Sequence, residues 1–304
     1  MSLISVNNLT FIYNGSYNNI FEDVSFNIDT EWKLGLIGRN EKGKITIILT
    51  THYMEEAESL SDKIDIMAKR NFKEIIRDPL SLIFAIILPL FLLFIFQQFD
   101  IPNESYKLEN FTPGIVVFGF SFITLFTAML ISKDRTTSLL VRLGISPMKP
   151  MEYILGYMLS IIPIILIQNI LFFILAVILG LRFSINIIWT ILVSIIIASL
   201  FIAIGIIIGS ISSEKASSGI SSIIVQLVCF TSGMYFPRET LGKVFGTICE
   251  YLPFESCLTI LKGIMNNNLE SIQARNIAIF VVYTIAILVI SVIIFKKQML
   301  SDNK

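Results

Sequence analysis

The chain has 304 residues, of which 54% are hydrophobic and only 15% charged, with a mean hydropathy of +0.77. Soluble domains carry roughly 25% charged residues, so the composition excludes an ordinary soluble globule, and the apolar excess excludes a disordered chain. The net charge is zero but uneven: residues 1–67 hold five cations against ten acids, net −5, and the remainder holds 18 against 13, net +5. No basic run is interleaved with aromatics, so nucleic acid is not an expected partner. Residues 1–40 contain no long apolar core and the first such run begins near Pro79, so insertion is expected to rely on an internal span.

At the N-terminus, Leu3–Leu9, Phe26–Asp29 and Lys33–Ile37 read as short strands and Asn14–Asn18 as a turn. Beyond them, Gly38-Arg39-Asn40-Glu41-Lys42-Gly43-Lys44-Ile45-Thr46 approaches the phosphate-binding pattern G-x-x-x-x-G-K-[S/T]. Gly38, Gly43 and Lys44 match, but Ile45 has no oxygen for a magnesium ion, and Thr46 comes one place late. Glu41 puts a Cβ and a negative charge into a loop meant to cradle phosphates.

The run VNNLTFIYNGSYNNIFEDVSFNIDTEWKLGLIGRN resembles the opening of a nucleotide-binding cassette, closest to the soluble ABC-F class that acts on ribosomes. The resemblance implies a stacking place for adenine at Tyr13, whose alternative role is a strand-edge tyrosine. Thr46–Met67 (TIILTTHYMEEAESLSDKIDIM) resembles the end of a cassette: a strand, the switch histidine at His52, and the helix that follows. The long stretch that should lie between, with its Q-loop, LSGGQ signature and Walker B acid, does not occur. The head therefore reads as a mosaic with joints near Lys44–Ile45 and Met67–Lys69, an order that a gene deletion and fusion, or a misassembled sequence, produces. Vestigial nucleotide contact is confined to Gly38, Gly43, Lys44 and His52, and no catalytic residue is expected. So short a remnant has too little chain to bury a stable core.

Crossing about 30 Å of hydrocarbon takes roughly 20 mostly apolar residues. Six runs qualify: Pro79–Gln97, Phe111–Ile131, Tyr153–Leu181, Ile187–Ile211, Ser217–Phe236 and Asn276–Phe295, none with a charge in its interior. Pro89 and Pro163 are candidate kinks. Ahead of the first, Lys69–Asp78 places Phe72, Ile75 and Ile76 on one face, as a helix lying in the membrane interface does. Twelve Lys and Arg fall on one side of the spans and six on the other, which puts both termini in the cytoplasm. Between spans two and three, Thr136–Leu143 reads as a short helix with Leu139, Leu140 and Leu143 as its apolar stripe and Arg142 beside them, closed by Gly144 and Pro147. Pro237–Arg275 is too apolar for a plain loop and suggests one or two amphipathic helices lying on the outer surface or dipping into it.

This layout resembles the type-2 permeases of ABC exporters over about residues 68–304. The likeness is carried by NFKEIIRDPLSLIF (Asn71–Phe84), RLGISPMKPMEY (Arg142–Tyr153) and YLPFESCLTILKGIM (Tyr251–Met265). The expected fold is mainly α: a polytopic membrane protein with six transmembrane helices, an interfacial N-terminal helix and a short α/β remnant, divided into a truncated ATPase remnant at 1–67 and a permease domain at 68–304. The resemblance implies multidrug-like export of an amphipathic drug, lipopeptide or lipid across the cytoplasmic membrane. It also implies a permease homodimer or heterodimer among membrane lipids, and a pair of cytoplasmic ABC ATPase subunits that bind the ATP and magnesium. The chain needs no cofactor or metal of its own and is not an enzyme on this reading. The segment Thr136–Leu143 is implied as the coupling helix that seats in the ATPase. A non-transporting fusion product is the alternative; a self-powered fused transporter is disfavoured by the missing signature and Walker B acid.

Smaller signals remain. Gln168, Asn169 and Gln226 either line a substrate path or bridge helices. Gly205 and Gly209 form a G-x-x-x-G packing surface, read as helix packing within one subunit. Cys229 lies inside a span; Cys249 and Cys257 share the outer segment, where oxidation is possible, although their short spacing on a helix points two thiols apart.

Overall fold

The computed structural model describes residues 3–11, 21–29, 35–37, 46–48, 60–99, 101–136, 150–236 and 242–301. The chain divides into two compact units, Met1–Lys63 and Ile64–Lys304.

In the first unit, β1 (Leu3–Phe11) pairs antiparallel with β2 (Phe21–Asp29), Val6 opposite Phe26 and Phe11 opposite Phe21. Both strands are longer than expected because the pairing continues past two irregularities. Asn8 and Asp23 take φ of 54° and 50° there, a left-handed conformation that these short polar side chains tolerate. The Asn8 side-chain amide donates to the Asp23 carboxylate, and the Asn8 backbone N–H donates to Ser25 Oγ at 2.9 Å. A second antiparallel pair joins β3 (Gly35–Ile37) to β4 (Thr46–Ile48). The turn expected at 14–18 lies outside the described residues.

Helix α1 (Leu60–Ile76) is continuous across the joint expected near residues 67–69. It buries Met67, Ala68, Asn71 and Ile75, one helical face, with Phe72 packed beside them. Ile76, expected on that face, lies 100° around the helix from Ile75 and is half exposed. There follow α2 (Pro79–Phe96), α3 (Leu108–Thr136), α4 (Pro150–Ile178), α5 (Ile185–Ile211) and α6 (Glu214–Thr231). The chain continues through α7 (Lys243–Tyr251), α8 (Pro253–Met265) and α9 (Ala274–Ser301). Pro89 and Pro163 both sit inside uninterrupted helices. Gly180, at φ +114°, closes α4 while Leu181 N–H returns to the carbonyl of Ala176 at 2.9 Å.

Among the described residues, four helices are long and apolar enough to cross a bilayer: α3, α4, α5 and α9; α7 with α8 makes a fifth if that pair counts as one span. Six runs were expected. Helix α2 offers a shorter apolar stretch, Ala85–Phe96, and α6 opens with Glu214, Lys215 and four serines that dilute its hydropathy. Helices α7 and α8 bend by 76°. The cause is local: Pro253 forces Leu252 into an extended conformation (ψ 146°), which ends one helix and starts the next. Cys249 and Cys257, on either side of that bend, are both buried.

The two faces of these helices differ in burial rather than in polarity. Ile167, Ile170, Ile174 and Ile178 of α4, and Ile188, Trp189, Leu192 and Ile196 of α5, are exposed. A soluble domain does not present apolar surface of that extent. Helix α3 is nearly all buried and packs against α2, α4, α5, α6 and α8. Its approach to α5 is set by the two glycines. A Cβ on Gly205 would lie 2.7 Å from the Thr124 carbonyl oxygen, and one on Gly209 would lie 2.6 Å from that of Ala128. The close approach lets Thr124 Oγ1 donate to the carbonyl of Phe201 at 2.9 Å. The G-x-x-x-G surface is thus used inside the chain. At the far end, Tyr106 and Tyr235 pack around Phe96 and Phe111, and the Tyr106 hydroxyl donates to the Tyr235 carbonyl at 2.6 Å.

Gly205→Ala is expected to destabilise the helical unit by about 1–3 kcal/mol, since the clash falls on backbone. Gly219→Ala, where no heavy atom lies within 4 Å of an added Cβ, is expected to leave stability unchanged or slightly raised. Thermal unfolding of the detergent-purified chain measures both, and equal effects would contradict the packing described.

Candidate functional site

The expected nucleotide contacts Gly38, Gly43, Lys44 and His52 lie outside the described residues, as does Tyr13. The described residues just beyond the loop, Thr46–Ile48, are a strand paired back onto Gly35–Ile37. A phosphate loop opens instead into a helix, whose N-terminal N–H groups meet the anion.

The expected coupling residues Leu139, Leu140, Arg142 and Leu143 also lie outside the described residues. Thr136 is described: it ends α3, and its hydroxyl donates to the Lys133 carbonyl at 2.9 Å. The three charged residues immediately before it, Lys133, Asp134 and Arg135, point to three different neighbours, because successive side chains on a helix fan out by 100°. Lys133 pairs with Glu74 of α1. Arg135 donates to the carbonyls of Ser210 and Ser212, capping the C-terminal end of α5.

Asp134 is fully buried. Both of its oxygens are 2.6 Å from the guanidinium of Arg70 on α1, a bidentate pair. The hydroxyl of Tyr157 on α4, also fully buried, donates to Asp134 Oδ2 at 2.8 Å. Arg70 Nη1 further donates to Asn71 Oδ1 at 2.8 Å. Phe295 of α9 packs edge-on against the Tyr157 ring, 6.2 Å between centroids. The end of α3 is therefore clamped to α1, α4 and α5 at the point where the chain enters residues 137–149. Arg70, Asp134 and Tyr157 were not singled out from the sequence. The available signal was Asp134 itself, a lone acid between two cations at the edge of an apolar run.

The three amides expected along a substrate path separate. Gln168 Nε2 donates to the Ala85 carbonyl of α2 at 3.1 Å, and Asn169 Nδ2 to Ser194 Oγ of α5 at 2.7 Å. Both residues are buried, and their carbonyl oxygens have no hydrogen-bond partner among the described residues. Adjacent in sequence, they tie α4 to two different helices. Gln226 of α6 is exposed and is not brought to them.

Arg70→Ala removes the bidentate guanidinium from a fully buried carboxylate and is expected to cost about 3 kcal/mol or more. Asp134→Asn is expected to cost less, because the Arg70 side chain is a third exposed and can turn to solvent. The order of the two melting temperatures checks this; the reverse order would contradict it. The hydrogen bond from Lys133 holds Glu74 below the usual carboxylate range. Its stabilisation is present above that ordinary range and is lost as pH falls through the lowered value. Glu74→Gln is expected to flatten this part of the acid-side fall in melting temperature, read from pH titrations of both proteins.

Comparison with known proteins bears on this arrangement. Residues 62–266, about two thirds of the chain, match the family described as ABC-2 type transporter. The match begins inside α1 and runs through α8, so it spans the whole clamp. Comparison with curated proteins finds no match.

Proposed function

We infer what this chain does from one premise: it belongs to the ABC-2 type transporter family. The family provides the membrane permease of ABC transporters and normally works with an ATPase partner. The observation that carries the reading is this match over a helical unit whose membrane-length helices are apolar on their exposed faces.

We propose in detail that α2, α3, α4, α5, α6 and α9 are six spans, with α1 in the inner interface and the bent α7–α8 pair entering from the outside. The twelve-to-six bias of Lys and Arg supports placing both termini in the cytoplasm of a cell whose cytoplasmic membrane holds the chain. Two copies, or this chain with a related permease, would face each other across an exporter path for an amphipathic drug, lipopeptide or lipid. The exposed Gln226 and Ser222 on α6 are available to such a path. A pair of cytoplasmic ATPase subunits binds ATP with magnesium and hydrolyses it. Their motion enters through residues 136–143, which continue directly from the clamped end of α3. A rigid-body rotation delivered there reaches α1, α4 and α5 together, because Lys133 and Asp134 hold α1, Asp134 holds α4 and Arg135 holds α5. The head, 1–67, is proposed as a cassette remnant with no hydrolysis of its own; the incomplete loop motif and the strand at Thr46–Ile48 support this.

The test is co-purification of the membrane-inserted chain with cellular ATPases, followed by export of an amphipathic dye. The intact chain is expected to recover a complete cassette ATPase, and deletion of residues 136–143 to lose both recovery and export while insertion is kept. Unchanged export by the deletion would overturn the coupling route.

A further inference from the structure

A cavity of about 270 Å³ opens between α1, the Lys133 end of α3 and the start of α6. We propose that it binds the headgroup of a zwitterionic phospholipid, an ammonium and a phosphate on one molecule. The proposal rests on reading the helical unit as membrane-spanning.

Size is the first argument. Pockets that enclose a drug-sized ligand run to about 300–1,000 Å³; this one falls just short of that range. It suits a headgroup whose acyl chains stay in the bilayer.

Chemistry is the second. The wall divides into an apolar side, where Phe126, Met129 and Leu130 of α3 meet Ile75 of α1, and a charged side. On the charged side Lys133 and Glu74 are already paired, so the centre is internally neutral. Arg77 reaches Glu74 only at 4.0 Å and is largely exposed, a guanidinium fork suited to a phosphate. Asp78 and Glu214 bring carboxylates to the same cavity from two different helix ends. A purely anionic headgroup would meet the Glu214 carboxylate without a donor to offer it. A purely cationic one would give Arg77 nothing beyond its 4.0 Å approach to Glu74. A molecule carrying both charges answers both sides.

Depth is the third. Helix α1 buries Met67, Ala68 and Ile75 on one face and exposes Asp65, Lys69 and Lys73 elsewhere, the pattern of a helix lying in an interface. The cavity sits beside that helix, where lipid headgroups lie.

Native mass spectrometry of the full chain in detergent, with dioleoyl phosphatidylethanolamine or dioleoyl phosphatidylglycerol added, tests the site. The ethanolamine lipid is expected to be retained at least about threefold over the glycerol lipid. An Arg77→Gln/Glu214→Gln double variant is expected to bring the two to parity. Met129→Trp, which fills the cavity from its apolar side, is expected to do the same with the charges intact. Equal retention by the intact chain, or a preference that survives both variants at unchanged melting temperature, would overturn the site. Full displacement of the lipid by millimolar glycerophosphoethanolamine would overturn the lipid assignment in favour of a soluble ligand. Absence of the chain from the membrane fraction, scored before lipid is added, would overturn the spanning reading and this proposal with it. An inserted chain without the preference sinks the headgroup site alone.

Discussion

The helical unit is organised by one requirement: the carboxylate of Asp134 is taken wholly out of water. An ion without partners in such a place costs several kcal/mol, so its surroundings are dictated. A guanidinium must arrive in a fork geometry, which brings α1 to α3 at Arg70. A hydroxyl must complete the shell, which brings α4 in at Tyr157. The neighbouring pair Lys133–Glu74 then lies along the same α1–α3 seam, and Arg135 takes the third direction, to the end of α5. Three helices meet at Asp134 because one charge cannot be left alone, and Arg135 brings the fourth.

Away from that junction, packing follows a different rule. The exposed and buried faces of α4 and α5 are both apolar, so hydrophobicity does not select which side turns inward. Small residues and hydroxyls do. Gly205 and Gly209 let α5 lie against α3 at backbone distance, and Thr124 spans the gap with a hydrogen bond. Gln168 and Asn169, side by side on α4, reach α2 and α5 in turn. With each amide bound on a different flank, α4 is tied against turning about its own axis.

What the sequence made legible follows the same division. Apolar length is a one-dimensional signal, so the long helices α3, α4, α5 and α9 were foreseeable within a few residues at each end. The bend between α7 and α8 was half visible: amphipathic patterning marked the segment, while Pro253 fixes where it breaks. The span expected at Ser217–Phe236 falls on α6, whose apolar stretch lies in its second half while its first half is polar. In α1 the apolar residues were recognised, but the burial of Asn71 and the exposure of Ile76 depend on which neighbours arrive, and periodicity carries no such information. The same holds for the clamp. Residues 70, 134 and 157 are too far apart in sequence for any local pattern to join them, and a lone acid among cations is ordinarily a solvated charge. In the head, the strands were legible from alternation, yet the folding of Thr46–Ile48 back onto Gly35–Ile37 is a pairing choice that strand propensity does not encode.

The fan of Lys133, Asp134 and Arg135 has a consequence for how this chain can vary. Each of the three anchors depends on its angular position, and one residue added to or removed from α3 upstream turns all three by 100° at once. A substitution here cuts one tether; a single-residue insertion or deletion cuts every one. Lineages carrying this arrangement can therefore exchange side chains along α3 far more freely than they can change its length. The spacing from Gly114, packed against Met234 at the far end, to Asp134 behaves as a fixed ruler within the fold.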